Sequence, residues 1–437
     1  MQTFFIKTFG CQQNYSDSER IATILQAAGL RKSSLEDADF ILFNTCAIKQ
    51  HAVDRIFGFW KNAKELLRKK SRVFAITGCT IRKTSFKGQS KGDRIFQQAR
   101  FADFVFRIED APKLPAMLQE NAPQQSCKSA KIGDRSCLES FFQIRPTLEK
   151  KFSAFVPIQT GCENFCTFCI VPQARGAEFF REFSRIKREC EDLVQAGVIE
   201  ICLLGQAVNK WQEGGRNFPW LLHKIAQIPN LKRLRFVSPH PAWIGNDLLD
   251  VMAQHSSICK HLHLPVQSGS NRILQRMNRR HSVEEFQETV HAARAKMPGI
   301  AISTDVIVGF PGESESDFQR TCALCESEKF DQIFISKFSP RENTPAADFP
   351  DQIPLAAKKE RFAKLENILQ SGSLFRNRQF VGQRVEVLVE SFSAQEGIAT
   401  GKTQQFKQVH FPCQEDCVGQ IKTVHIAGAE TWFLQGI

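Results

Sequence analysis

Cys162, Cys166 and Cys169 lie within TGCENFCTFCIVP at the spacing C-x3-C-x2-C, with no fourth cysteine or histidine beside them. A structural zinc ion takes four protein ligands in a closed tetrahedron, which three thiolates do not supply. A cubane iron–sulfur cluster has four irons, so three thiolates leave one iron without a protein ligand. An open iron can bind and cleave a small molecule. The bland alternatives are a partial zinc knuckle or three buried cysteines. The context argues against them, because FSAFVPIQT reads as a buried strand that delivers the chain into the cysteine loop.

A second triad is spread along the N-terminal region. Cys11 follows TFFIKTFG, Cys46 follows DFILFNT and Cys79 follows RVFAITG. Each sits just past the C-terminal end of an expected strand, and in a parallel α/β sheet those ends share one edge where ligand sites form. Three thiolates again leave one cluster iron open; the alternative is three unrelated buried or loop cysteines. Cys322 and Cys325 (C-x2-C in a helical pattern) and Cys413 and Cys417 (C-x3-C near a turn) read as packing residues. Cys127, Cys137, Cys190, Cys202 and Cys259 carry no spacing signal.

The elements that must position these residues fall into three regions of an α/β chain. Residues 1–120 alternate expected strands at 3–9, 39–44, 72–77 and 103–108 with helical stretches such as 17–29 and 50–70, which implies a parallel-sheet domain. Residues 121–150 read as a polar linker. Residues 151–372 repeat strand and helix, with strands at 153–159, 198–204, 233–237, 261–264, 300–308 and 332–338. Helical patterns lie between them at 181–196, 283–297 and 314–328. Six such units fit a partial (β/α)6 barrel better than a complete eightfold one. Residues 373–437 carry short Val-rich strands and read as a small β-barrel.

The motifs together resemble the radical S-adenosylmethionine (SAM) methylthiotransferases, most closely the MiaB-type tRNA enzymes, over nearly the full length. GCQQNYSDSE, NTCAIKQHA and GC at 78–79 are similar to the three N-terminal cysteine motifs of that family. TGCENFCTFCIVPQARG resembles its radical SAM loop, and LLGQAVN, HLHLPVQSGS, STDVIVGFPGE and FSPRENTPAA its later barrel motifs. The last region resembles a TRAM domain, an RNA-binding module. Three departures stand out: Phe180 where the family usually has Ser, Ala207 where it has Asn, and TIRK after Cys79.

The resemblance implies two [4Fe-4S] clusters, on Cys162, Cys166 and Cys169 and on Cys11, Cys46 and Cys79. It implies SAM as cofactor and methylthiolation of carbon 2 of N6-isopentenyladenosine beside the tRNA anticodon. Alternatives are the same chemistry on threonylcarbamoyladenosine or on an aspartate of a ribosomal protein. A different class would be a non-catalytic iron–sulfur or zinc RNA-binding protein. Polar residues at the catalytic ends of barrel strands are candidates to hold SAM: Arg175, Glu178, Arg181, Gly205, Gln206, Asn209, Gln267, Ser268 and Asp305. No catalytic residue beyond the cluster ligands is expected.

The net charge of +12 favours a polyanionic partner. It is concentrated at 61–100, where twelve Lys and Arg face only Glu65 and Asp93, whereas the TRAM-like region is balanced. The 15 cysteines without a secretory signal fit a cytoplasmic protein with reduced thiols. No apolar run approaches the ~20 residues that span a bilayer. The expected partners are a tRNA anticodon stem-loop, a low-potential electron donor and a sulfur source. The expected state is a monomer away from membranes.

Overall fold

A computed structural model of the chain describes residues 1–46, 55–62, 72–81, 101–119 and 135–437. Most of the basic stretch 61–100, and Cys127, lie outside the described residues.

The N-terminal region is one parallel sheet in the order β2-β1-β3-β4-β5. Its strands are β1 (Thr3–Phe9), β2 (Arg31–Lys32), β3 (Phe40–Thr45), β4 (Val73–Gly78) and β5 (Phe104–Val105). Every residue of β3 is buried, as a strand covered on both faces requires. On one face Phe4, Leu42 and Ala75 pack with Ile21 and Leu25 of the helix Gln12–Ala27; on the other lie Ile41, Phe43 and Ile76. The strand expected at 103–108 shrinks to two residues. Phe106 and Ile108 are buried in the bend that leads into the 3-10 turn Ile108–Lys113, so their apolar character reports burial and not strand pairing. Within the expected linker, Arg135–Gln143 is a helix. Its Phe141 and Phe142 enter the N-terminal core, and Phe142 stacks on Phe179 at 6.1 Å. A polar window had hidden a single apolar face.

The central region contains β6 (Ser153–Pro157), the short pair β7 (Gln159–Thr160) and β8 (Phe179–Phe180), and β9 (Glu200–Leu204). A small ribbon follows, β10 (Gln212–Glu213) with β11 (Arg216–Asn217). Then come β12 (Arg233–Phe236), β13 (His261–His263), β14 (Ala301–Val308) and β15 (Gln332–Lys337). The six long strands form two parallel three-stranded sheets, β12-β9-β6 and β13-β14-β15. A bridge between Leu234 and Ile258, just before β13, joins them. Alternation along the strands sorts the side chains. Val156, Ile201, Leu203, Leu234, Leu262, Ile302, Val306 and Ile333 join the helix-side core. Their neighbours Glu200, Cys202, Arg233, Arg235, His261, His263, Ser303, Asp305 and Phe334 therefore line the lumen. Cys322 and Cys325 are core residues, as their helical spacing implied, and Cys190, which carried no spacing signal, joins the same core.

The helix Leu355–Arg378 leads into a closed five-stranded barrel in the order β16-β17-β18-β20-β19. Its strands are β16 (Arg384–Ser393), β17 (Ile398–Thr403), β18 (Gln408–Pro412), β19 (Ile421–Ala429) and β20 (Leu434–Gly436). Cys417 is buried in its core, 3.3 Å from the sulfur of Cys413. This barrel is docked under the central one at the start of β12. Arg233 donates to the carbonyls of Lys402 and Glu386, and Arg235 to those of Gln404 and Thr403. Arg235 also pairs with Glu200 at 2.8 Å and lies over the ring of Phe406, which stacks on His261. Arg235→Ala would leave the Glu200 carboxylate buried beside lost hydrogen bonds, a loss of about 3–5 kcal/mol for breaking one side of a buried pair. We expect limited proteolysis within 379–437 to be faster in this variant; an unchanged cleavage pattern would show that the docking does not depend on Arg235.

Candidate functional site

The register of the N-terminal sheet places Phe9, Thr45 and Gly78 side by side, so Cys11, Cys46 and Cys79 leave adjacent strands on one edge. Gly78 adopts φ +99°, and a Cβ there would lie 2.3 Å from the carbonyl oxygen of Thr45. Only glycine makes that turn at so close an approach. Cys46 forms side-chain hydrogen bonds with both Cys11 and Cys79. The bond to Cys46 pulls Cys11 down to about 7 and Cys79 to about 6, and Cys46 itself is pushed up. Two thiols are thus held near their ionised form, the form that binds metal. Behind them Asn14 accepts from the Cys11 N–H at 3.3 Å and donates to Asn44 at 3.0 Å. Asn44 in turn donates to the Asn14 carbonyl and to Ser18.

The other triad hangs from a loop fixed at both ends. The Cys162 N–H donates to the Gly176 carbonyl at 3.1 Å, and the Cys169 N–H to that of Cys166 at 2.9 Å. Gly161, at φ +79°, closes the entry, because a Cβ would stand 2.0 Å from the Ala177 carbonyl oxygen. We expect Gly161→Ala to lose the iron of this triad and keep that of the other; iron and sulfide content would show it, and full retention would refute it. The loop is braced from below by Thr167, which donates to the carbonyls of Met277 and Arg276, and by Asn278, which donates to those of Asn164 and Phe165. Burial raises the thiol of Cys162 and pushes that of Cys169 up to about 12. Arg279 reaches Cys166 with an Nη1–Sγ distance of 3.5 Å. Each triad offers three soft sulfur donors, the set that suits an iron–sulfur cluster.

The two triads meet. Ile170, next to Cys169, packs directly on Cys79, with Ala174 beside them. The short helix Val171–Arg175 therefore has one triad at its start and the other against its side.

The expected SAM contacts separate on inspection. Gln206 has a buried side-chain oxygen with no partner among the described residues, while its N–H is held by Gln159. Gly205 lies against the same Gln159 oxygen, where a Cβ would come within 2.8 Å. Asp305 faces the lumen, partly exposed, and accepts from His263 at 3.2 Å. Glu178 accepts from Lys210 and from the N–H of Glu163, which puts it beside the cysteine loop. Gln267, at φ +75°, is bound through its backbone to Asp305 and Ile307. Three others are occupied by the fold. Arg181 is buried against Glu189 and the carbonyls of Pro157 and Phe142. Asn209 bonds the backbone of His240 and Trp243. Ser268 is fully buried beside Thr321 and accepts from the Ser270 N–H. Arg175 points to the other triad. Lys210, Arg279, Asn14 and Asp17 carried no ligand spacing in the sequence; only their proximity to cysteines in space brings them in.

A parallel partial barrel with a three-cysteine loop after its first strand defines a radical SAM enzyme. Residues 156–325 match the Radical SAM superfamily, residues 3–106 the Uncharacterized protein family UPF0004, and residues 378–437 the TRAM domain. A tRNA-2-methylthio-N(6)-dimethylallyladenosine synthase of Tropheryma whipplei (strain Twist) is 40% identical over 99% of this chain and 92% of its own length. One from Moorella thermoacetica is 37% identical over 100% and 98%. The chain belongs to this family, the MiaB-type radical SAM methylthiotransferases. Among solved structures, the radical SAM methyltransferase TsrM from Kitasatospora setae shares the fold, with TM-score 0.54 at 13% identity over 79% of this chain and 77% of that one.

Proposed function

We propose that this chain methylthiolates carbon 2 of N6-isopentenyladenosine beside the anticodon of tRNA. The contact of Ile170 with Cys79, which brings two three-sulfur sites to one short helix, supports methylthio transfer, and the similarity to tRNA-2-methylthio-N(6)-dimethylallyladenosine synthases supports this substrate. Cys162, Cys166 and Cys169 would hold one [4Fe-4S] cluster and Cys11, Cys46 and Cys79 the other. When bound, the clusters and SAM supply radical chemistry and the sulfur and methyl groups to be transferred. An aromatic C–H has no useful acidity, so a neighbouring base such as His263 or Asp305 could not activate it; the protein's part is to position and shield. Gly78 and Gly161 set the turns, the Asn14–Asn44 pair holds Cys11, and Thr167 and Asn278 fix the loop. Gln206 offers an acceptor, unpaired among the described residues, near the mouth of the barrel.

Partners in this reading are the anticodon stem-loop, gripped in part by the C-terminal barrel, a low-potential electron donor and a sulfur source. The enzyme acts as a monomer in the cytoplasm. No helix among the described residues is long and apolar enough to cross a membrane. Mass analysis of tRNA nucleosides tests the reading. A strain lacking the protein should accumulate the prenylated nucleoside without its methylthio group, and unchanged methylthio nucleoside would overturn it.

A further inference from the structure

Arg175 is expected from its place after the loop to hold SAM, yet it turns the other way. Its Nε–H donates to the Cys79 sulfur at 3.2 Å, and its Nη2 donates to Asp17 at 2.7 Å. Both members of that ion pair are buried, with side chains 7% and 1% exposed. Asp17 belongs to the helix that Cys11 caps, in the N-terminal domain, whereas Arg175 ends the helix that follows the radical SAM loop. A buried guanidinium spanning two domains and touching a ligand sulfur has a defined electrostatic effect. Positive charge and an N–H donor at a cluster sulfur favour the reduced, more negative state.

We propose that Arg175 is a positioning residue of the N-terminal site: it binds the Cys79 sulfur, raises the reduction potential of the cluster held there, and is balanced by Asp17. This rests on the assignment of Cys11, Cys46 and Cys79 as cluster ligands. Lysine keeps the charge but cannot hold the sulfur and Asp17 together in one planar fork. Glutamine removes the charge. Asp17→Asn leaves an acceptor but removes the balancing charge, so it should act with the opposite sign.

The test uses full-length chain in which Cys162, Cys166 and Cys169 are replaced by Ala, reconstituted with iron and sulfide. The midpoint potential of the remaining cluster is followed by electron paramagnetic resonance against a low-potential chemical reductant. In Arg175→Gln the ratio of reduced to oxidised cluster at a fixed solution potential should fall about tenfold, which for a one-electron couple is about 59 mV. Arg175→Lys should recover part of this, and Asp17→Asn should move the midpoint upward. No iron in the parent triple variant would refute the cluster assignment itself. Iron retained with an unmoved midpoint in Arg175→Gln would refute the role of Arg175 alone. Should Arg175→Gln lose its iron, Asp17→Asn decides, and an unmoved or lowered midpoint there overturns the proposal. A parallel measurement separates the alternative role. In chain lacking Cys11, Cys46 and Cys79, Arg175→Gln should bind SAM within about twofold of its parent, and a tenfold loss would return Arg175 to the SAM site.

Discussion

Replacing Cys162, Cys166 and Cys169 together by Ala is expected to leave about one four-iron cluster per chain and to abolish reductive SAM cleavage. Replacing Cys11, Cys46 and Cys79 should also leave about one cluster, but SAM cleavage should persist without sulfur insertion. The structural reason is that each triad has its own support. The first hangs from a loop braced by Met277, Asn278 and Gly176, and the second sits on a parallel sheet edge stiffened by Asn14 and Asn44. Among the described residues, the Ile170–Cys79 contact and the Arg175 bonds join them. Iron and sulfide analysis after anaerobic reconstitution, with chromatography of the SAM products, checks both. An N-terminal triple variant that keeps its full iron content would show that the second triad is not a cluster site.

The second large effect concerns the substrate. A prenyl group is apolar, whereas a threonylcarbamoyl group carries a carboxylate that needs a buried cation or several donors. The lumen wall at β14 and β15 pairs Asp305 with Phe334, whose ring meets His263 edge-on at 5.6 Å. Asp305 would repel a second carboxylate. Arg233 and Arg235 line the lumen, but their guanidinium groups are engaged by carbonyls of the C-terminal barrel and by Glu200. Phe180, which stands where the family usually has Ser, packs against the helix-side core; the apolar wall comes from Phe334. We therefore expect activity on prenylated tRNA to exceed that on threonylcarbamoylated tRNA by more than a hundredfold, about 2.7 kcal/mol of discrimination. Incubating the reconstituted enzyme with each tRNA, SAM and sulfide, then weighing the nucleosides, measures the ratio. Methylthio addition solely to the threonylcarbamoyl nucleoside would reverse the assignment and leave the radical chemistry intact.

The sequence by itself determined the chemistry. C-x3-C-x2-C is a local spacing, so a short loop after a strand brings its three sulfurs together, although Met277 and Asn278 brace that loop from a distant segment. Cys11, Cys46 and Cys79 were legible for a related reason: in a parallel sheet every strand ends on the same edge, so a cysteine one or two residues past each strand must arrive near the others. The six lumen strands were likewise readable from their alternation. The helix Arg135–Gln143 was not, because its apolar face is short and its partners, Phe179 among them, are distant in sequence.

Tertiary structure alone decided which strand-end residues are free to act. Arg181, Asn209 and Ser268 occupy the right end of the barrel, yet their polar atoms are engaged by the Phe142 carbonyl, by the His240 backbone and by Thr321. Nothing in their own segments announces those partners. Arg175 looked like its neighbours in sequence, and the fold brings Cys79 and Asp17 of another domain against it. Ligand type and spacing are properties of a segment, whereas the partner that claims a buried polar group is set by whichever distant segment the fold brings against it.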